Sequence, residues 1–325
     1  MRVLICGGTG FIGTALTRAL EARGDEAWII TRHKPAAPAA GFRYATWDEW
    51  AADPTLGGGT YAIVNLAGES INQRWSAAAQ QRVLQSRLIA AERVADIVRR
   101  LDEPPAVVVN ASGISLYGHS YTGGSAGPSS DASASIVNES GDSIRPFDES
   151  APARPADFLG RTIMEWEAAA DRIPTRRLVK LRIGLVLGRT GGAFPLLRLP
   201  HRLFVGGRLG SGKQGMPWIH LDDIVSLILF SLDTAEMSGP VNAIGPETVD
   251  NDTFGKTLGR VIGRPHWFPV PASLIRTALG EMSCLLLTGQ HAVPRKALDH
   301  GFRFRFPRLE DALRNLHRSP SGERA

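Results

Sequence analysis

The chain opens Met1-Arg2-Val3-Leu4-Ile5-Cys6-Gly7-Gly8-Thr9-Gly10-Phe11-Ile12-Gly13-Thr14-Ala15-Leu16, and this stretch decides the fold. Val3 to Cys6 is a short apolar run that reads as a buried strand. Ile12, Ala15, Leu16, Ala19 and Leu20 then recur at helical spacing, and Gly24 ends the helix. Between them lies Gly7-x-x-Gly10-x-x-Gly13. A strand, a glycine-rich turn and a helix form the phosphate-gripping half of a Rossmann unit. The glycines let the backbone turn sharply and approach a pyrophosphate. The helix N-terminus adds free N–H groups and a positive dipole end. Gly7, Thr9, Gly10, Phe11, Ile12 and Gly13 are therefore candidate cofactor contacts.

Working outward, Ala27-Trp28-Ile29-Ile30 is a second apolar strand that runs into Thr31-Arg32-His33-Lys34. A site for NAD usually places Asp or Glu here, to hold the ribose 2′-hydroxyl. Thr31 and Arg32 occupy that place instead. A guanidinium suits a 2′-phosphate through paired charge-assisted hydrogen bonds, so the expected cofactor is NADP. A solvated basic loop is the other reading of the same residues.

At 325 residues the chain can bury a full core, and its 43% hydrophobic and 21% charged content is that of a soluble globular protein. Two cysteines, Cys6 and Cys284, cannot build a disulfide framework and are expected as small buried apolar residues. No signal peptide is read at the N-terminus and no run reaches transmembrane length, so a cytoplasmic protein without a membrane partner is expected. The net charge of +5 is spread along the chain without a Lys/Arg block, which argues against nucleic acid.

Further apolar strands are expected at Tyr61–Leu66, Ala106–Asn110 and Arg177–Arg182, with a long helix from about Ser76 to Leu101. Strands alternating with helices over the first 190 residues predict an α/β fold: a doubly wound parallel Rossmann sheet. A smaller, mainly helical substrate region is expected over 191–318, contributing elements back to the nucleotide domain. Its helices are expected at Ile224–Leu232, Thr253–Ile262, Leu274–Leu287 and Leu309–Leu316. Residues 119–145, rich in Ser, Gly and Asp, read as a flexible surface insertion, and the polar tail from Ser319 as frayed.

Several motifs together resemble one family. They are GGTGFIG (7–13), VNLAGE (64–69), RW (74–75), SR (86–87), EWEAA (165–169) and R-x-G-x-VLG (182–188). GSGKQ…WIHLDD (210–223), GPVNAIGP (239–246) and PRKALDHGFRFRFP (294–307) complete the set. The chain resembles the extended, atypical short-chain dehydrogenase/reductases of the epimerase family, the SDR39U1-like group, nearly end to end. The resemblance implies a small C-terminal module around Pro269 to Phe306. It also implies that Leu66, Ala67 and Gly68 let the adenosine half of the cofactor pass close to the sheet edge. Arg87 would reach back toward the nucleotide, and Ala111 and Ser112 would lie near the nicotinamide.

Short-chain dehydrogenases usually carry a Tyr-x-x-x-Lys pair, in which the ammonium lowers the phenol pKa. Ser112 fits the place of the serine that holds the substrate oxygen, and is the one candidate catalytic residue. The helix expected to carry the pair instead reads Asp157-Phe158-Leu159-Gly160-Arg161-Thr162, and none of Tyr44, Tyr61, Tyr117 or Tyr121 is followed by Lys four residues on. Tyr117 is either a displaced proton donor or a packed aromatic. His220-Leu221-Asp222-Asp223 is read as helix capping and sheet contacts, not as metal ligands. Two functions are expected on these grounds. One is an NADP-binding epimerase-like oxidoreductase acting on a small molecule, as monomer or homodimer. The other is a catalytically weak NADPH-binding sensor that works through a protein partner.

Overall fold

The computed structural model describes residues 1–36, 42–120, 136–137, 143–144 and 146–318. Most of the expected insertion at 119–145, and the tail from Ser319, lie outside the described residues. The chain runs β1 (Arg2–Cys6), α1 (Phe11–Ala22), β2 (Glu26–Thr31), β3 (Arg43–Thr46), α2 (Trp47–Ala52), β4 (Ala62–Asn65), α3 (Ala77–Arg100) and β5 (Val107–Gly113). It continues through β6 (Ile136–Val137), β7 (Ser143–Ile144), α4 (Phe158–Ala170), β8 (Leu178–Ile183), β9 (Leu185–Leu187), α5 (Phe194–Arg202) and β10 (Trp218–His220). It ends with α6 (Leu221–Asp233), β11 (Gly239–Ala243), α7 (Asn251–Ile262), α8 (Ala272–Leu279), α9 (Cys284–Leu287), α10 (Arg295–Asp299) and α11 (Leu309–His317).

The residues form two interleaved compact units. The first comprises Met1–Gly113, Arg161–Arg182 and Ile224–Val241, and the second Ile114–Gly160, Ile183–Asp223 and Asn242–Ala325. The chain passes from the first unit to the second three times and back twice, and none of these crossings falls at 190/191. The physical reason is strand pairing: β8 and β11 extend the sheet that β1 begins, and their flanking helices pack with it.

The first unit is built on a seven-stranded sheet in the order β11-β8-β5-β4-β1-β2-β3. β1 pairs in parallel with both β2 and β4, so the order turns back at β1, the place where α/β sheets bind ligands. Leu4, Cys6, Ile63 and Val108 are fully buried, which explains why these strands read as continuous apolar runs. α1 buries Gly13, Leu16, Thr17 and Leu20 on one face. β3 and α2 were not expected. β3 is only four residues long, but Thr46 and Glu49 form a reciprocal capping box that starts α2.

In the second unit, Leu187, Phe194, Trp218, Phe254, Leu258 and Leu313 form a separate core. The expected single helix over Leu274–Leu287 is broken. α8 stops at Leu279, and Gly280 takes a φ of 56° before a short 3₁₀ turn leads into α9. Cys284 is only half-buried, and burial with the Asp157 charge pushes its thiol up to about 12, far from a reactive thiolate. Cys6 is fully buried, as expected.

Candidate nucleotide and active site

The site residues in the first unit lie at the C-terminal ends of β1, β2, β4 and β5. At β1 the turn is shaped by contacts only glycine permits. Gly7 has a φ of 80°, and a Cβ there would stand 2.9 Å from the Leu66 carbonyl carbon. A Cβ on Gly13 would overlap the Gly7 carbonyl oxygen and stand 2.6 Å from Gly8 Cα. Gly8 packs as closely, since its Cβ would lie 2.9 Å from Ile29 on β2, a role the sequence reading did not assign. The Gly10 N–H donates to the Gly7 carbonyl at 3.0 Å, and the Thr14 N–H to the Gly10 carbonyl at 2.8 Å. α1 starts without a side-chain cap and without an acid in its first turn. Its positive end is therefore uncompensated by its own residues. Thr9 and Gly10 are exposed there, with Phe11 and Ile12 half-exposed. A pyrophosphate fits this cradle.

At the end of β2, the Thr31 hydroxyl donates to the His33 carbonyl at 3.1 Å, and Arg32 is exposed. At the end of β4, Asn65 and Asn110 form a buried side-chain pair at 2.7 Å. Asn65 also accepts from the Ala67 N–H at 3.2 Å, and Asn110 donates to the Ala111 carbonyl at 2.7 Å. These two amides hold the backbone of the Leu66–Gly68 and Ala111–Ser112 segments. The Glu69 carboxyl is held below its usual range by hydrogen bonds from Gln73 and Arg82, helped by the charges of Arg82 and Arg32.

Arg87, on α3, folds against this loop. Its guanidinium donates to the Glu69 carbonyl at 3.1 Å and the Val83 carbonyl at 2.9 Å, and lies 5.1 Å from the Trp166 ring centre. A Cβ on Gly68 would stand 3.2 Å from Arg87 Cζ, so the exposed Gly68 leaves room for the guanidinium. Burial lowers the Arg87 pKa to about 10, against the opposing pull of Glu69.

Ser112 is buried at the end of β5 beside Ala111. Its hydroxyl donates to Glu167 Oε1 at 2.6 Å. Arg182, on β8, grips the same carboxylate with Nε at 2.8 Å and Nη2 at 2.9 Å, and Lys180 Nζ lies 3.7 Å away. Burial pushes the Glu167 carboxyl up, but the bonds from Arg182 and Ser112 and the two cationic charges outweigh it and leave the pKa lowered. The Ser112 proton is thus given to a carboxylate, which leaves the hydroxyl oxygen to act toward a further group as an acceptor. Glu167 and Arg182 were not foreseen as site residues. Both sit inside quoted motifs, EWEAA and R-x-G-x-VLG, but nothing in either motif says that they meet.

Phe158 opens α4 and Thr162 lies buried one turn on. In the second unit, Tyr117 is 1% exposed, donates to Asn242 Oδ1 at 2.8 Å and stacks on Phe147 at 5.3 Å between ring centres. His220 Nδ1 accepts the Asp222 N–H at 3.0 Å, so the histidine caps α6, not the aspartates. Asp223 instead accepts the N–H groups of Arg305 at 2.7 Å and Phe306 at 3.0 Å. Among the described residues no group of three His, Cys, Asp or Glu could hold a metal ion, and no helix is long and apolar enough to cross a membrane. A surface cavity of about 910 Å³, lined by Thr55, Tyr61, Arg100 and Arg176, lies at the N-terminal ends of β4 and β5. It is at the opposite strand ends from the glycine turn and shares no residue with it.

A parallel sheet that turns back at β1, with a glycine turn under an uncapped helix, defines a protein of the Rossmann class. Residues 3–137 match the NAD dependent epimerase/dehydratase family, and residues 270–316 match a C-terminal domain of unknown function. The chain is 39% identical over 325 residues to the epimerase family protein SDR39U1 of Bos taurus, covering 97% of this chain and 99% of that one. It is 35% identical to the epimerase family protein YfhF of Bacillus subtilis, over 97% of this chain and 98% of that one. The crystal structure of human SDR39U1 (isoform 2) with NADPH superposes with a TM-score of 0.82 at 36% identity, over 97% and 99% of the two chains. The chain belongs to the SDR39U1 and YfhF epimerase family, within the short-chain dehydrogenase/reductases.

Proposed function

We propose that this chain binds NADPH at the β1, β2 and β4 strand ends and is an NADP-dependent, epimerase-like oxidoreductase of a small molecule. The observation that carries the cofactor half is the cradle at Gly7 and Gly13 together with Arg32 where an NAD site has an acid. Human SDR39U1, crystallised with NADPH, supports the same assignment. When bound, NADPH supplies a hydride. The protein's part is to hold the pyrophosphate on the α1 N-terminus, to meet the 2′-phosphate with Arg32, and to keep Ala111 and Ser112 against the nicotinamide. Ser112 is the group proposed to hold a substrate oxygen. We further propose a cytoplasmic location, a monomer or homodimer, and no nucleic-acid partner.

A second reading, a catalytically weak NADPH-binding sensor, draws support from specific residues. Phe158 and Thr162 supply neither phenol nor ammonium. Tyr117 spends its hydroxyl on Asn242, and Ser112 donates its proton to Glu167. General acid–base groups contribute typically about 10²–10⁴-fold in rate, and that contribution has no ready donor here. Calorimetry with NADPH and NADH, followed by NADPH oxidation against a panel of carbonyls and sugar nucleotides, tests both. Tight NADPH binding with turnover supports the first reading, and tight binding without turnover the second. Equal affinity for the two nucleotides would overturn the cofactor assignment.

A further inference from the structure

The second unit carries an apolar face that its own core does not use. Leu199 and Leu203 at the end of α5 are 51% and 62% exposed, Phe204 54%, and Trp267 and Phe268 65% and 45%. Phe204, Trp267 and Phe268 are joined, and Leu203 and Leu199 lead into Phe204 along the end of α5. The Trp267 indole N–H donates to the Phe204 carbonyl at 2.9 Å, and the Trp267 and Phe268 rings stand edge to face at 5.9 Å. The two segments are laced by the backbone: the Trp267 and Phe268 N–H groups both donate to the Gly206 carbonyl, and Val270 N–H donates to Arg208. Phe204 has a φ of 61°, a conformation L-residues seldom adopt, and its ring is held out on the surface by this lacing. His201 beneath is tied through His266 to Asp252, at 3.2 and 3.0 Å. The face is a rigid display, not a frayed loop.

Its charge is one-sided. From Arg172 to Leu221 and from Thr253 to Gly280 the chain has no Asp or Glu. Arg202, Arg208, Arg264 and Arg276 of these two segments are exposed, and the Arg264 guanidinium lies 4.6 Å from the Phe204 ring centre. A second copy meeting this face about a two-fold axis would set arginine against arginine with no carboxylate in either segment. We infer that this face docks on an anionic lipid surface. Tryptophan, phenylalanine and leucine would enter the boundary between headgroups and acyl chains, and the arginines would meet lipid phosphates and carboxylates. Surface docking of this kind needs no spanning helix.

The test is flotation of the full chain with phosphatidylcholine vesicles containing one-third phosphatidylserine, beside pure phosphatidylcholine vesicles. The expected result is binding to the anionic vesicles only, weakened by salt. Arg264→Glu with Arg276→Glu should lower partitioning by more than about tenfold, since each basic group near such a surface contributes about a factor of five. Leu203→Ser, at a side chain with no core role, should lower it severalfold. Both variants should keep the parent's melting temperature and nucleotide affinity, which reports that the chain is folded. Absence of binding to anionic vesicles at low salt, or equal binding to neutral ones, overturns the proposal. So does a dimer in sedimentation that Leu203→Ser dissociates, or retention on polyglutamate without vesicle binding, which would assign the face to a second copy or an acidic protein.

Discussion

The β1–α1 turn and the buried end of β5 both belong to the candidate site, yet they are held by different physics. The turn keeps its shape through backbone contacts that exclude a Cβ, and no side chain caps its helix. The β5 end is held by side chains: Ser112, Glu167 and Arg182, from three elements and 70 residues of sequence, share one buried carboxylate. A backbone cradle can take a ligand that brings its own charge. A closed ionic network has already neutralised its charges and has few spare donors for chemistry. Binding machinery without an evident proton donor is what this pairing describes.

The comparison is tested hardest at Glu167. Glu167→Ala removes the buried carboxylate that Arg182 grips through two nitrogens, and should cost about 3–5 kcal/mol of stability by urea unfolding. A loss below about 1 kcal/mol would mean that the network is not closed. At the cradle, Gly13→Ala must push the turn open, because the new methyl overlaps the Gly7 carbonyl. NADPH affinity should fall roughly a hundredfold, about 3 kcal/mol by calorimetry. Unchanged affinity would show that the nucleotide does not use this turn.

Two smaller effects separate binding from chemistry. Arg32→Ala removes a charged contact worth on the order of 2 kcal/mol, so the preference for NADPH over NADH should narrow more than tenfold. Ser112→Ala should leave NADPH affinity nearly unchanged, cost about 1 kcal/mol of stability and lower whatever turnover exists. A fully active variant would remove Ser112 from the mechanism. An abrupt loss of turnover in Tyr117→Phe would move the proton donor to a phenol now bonded to Asn242.

The turn was legible because glycine is a local signal: its spacing, and the apolar strand and helix around it, all lie within 20 residues. The sheet was legible for the same reason, through Val3–Cys6 and Val107–Asn110. Glu167 and Arg182 were not, because the sequence around each states only an amphipathic helix and a strand, and their meeting depends on β8 pairing beside β5. A return of the C-terminal region to the nucleotide domain was expected, but not where the chain crosses, since no composition shift marks Ile224 or Asn242. Gly280 sits within an apolar run that reads as one helix, and only its positive φ shows the break.

The weakest and most specific effect is that of pH. The folded Glu167 carboxyl lies below its ordinary value, as Arg182 and Ser112 outweigh the cost of burial. Its unfolded value is near the usual 4.3 or so for glutamate. The stabilising contribution is therefore fully present above about pH 5 and is lost as the pH falls through the folded value. The loss cannot exceed about 1.4 kcal/mol per pH unit for one proton. Glu167→Gln removes that titration, so the stability gap between parent and variant should narrow from pH 5 toward pH 3. A gap that is constant over this interval would show that Arg182 does not bias the carboxyl. The β5 end would then be held by packing, as the glycine turn is, and the contrast between the two regions would disappear.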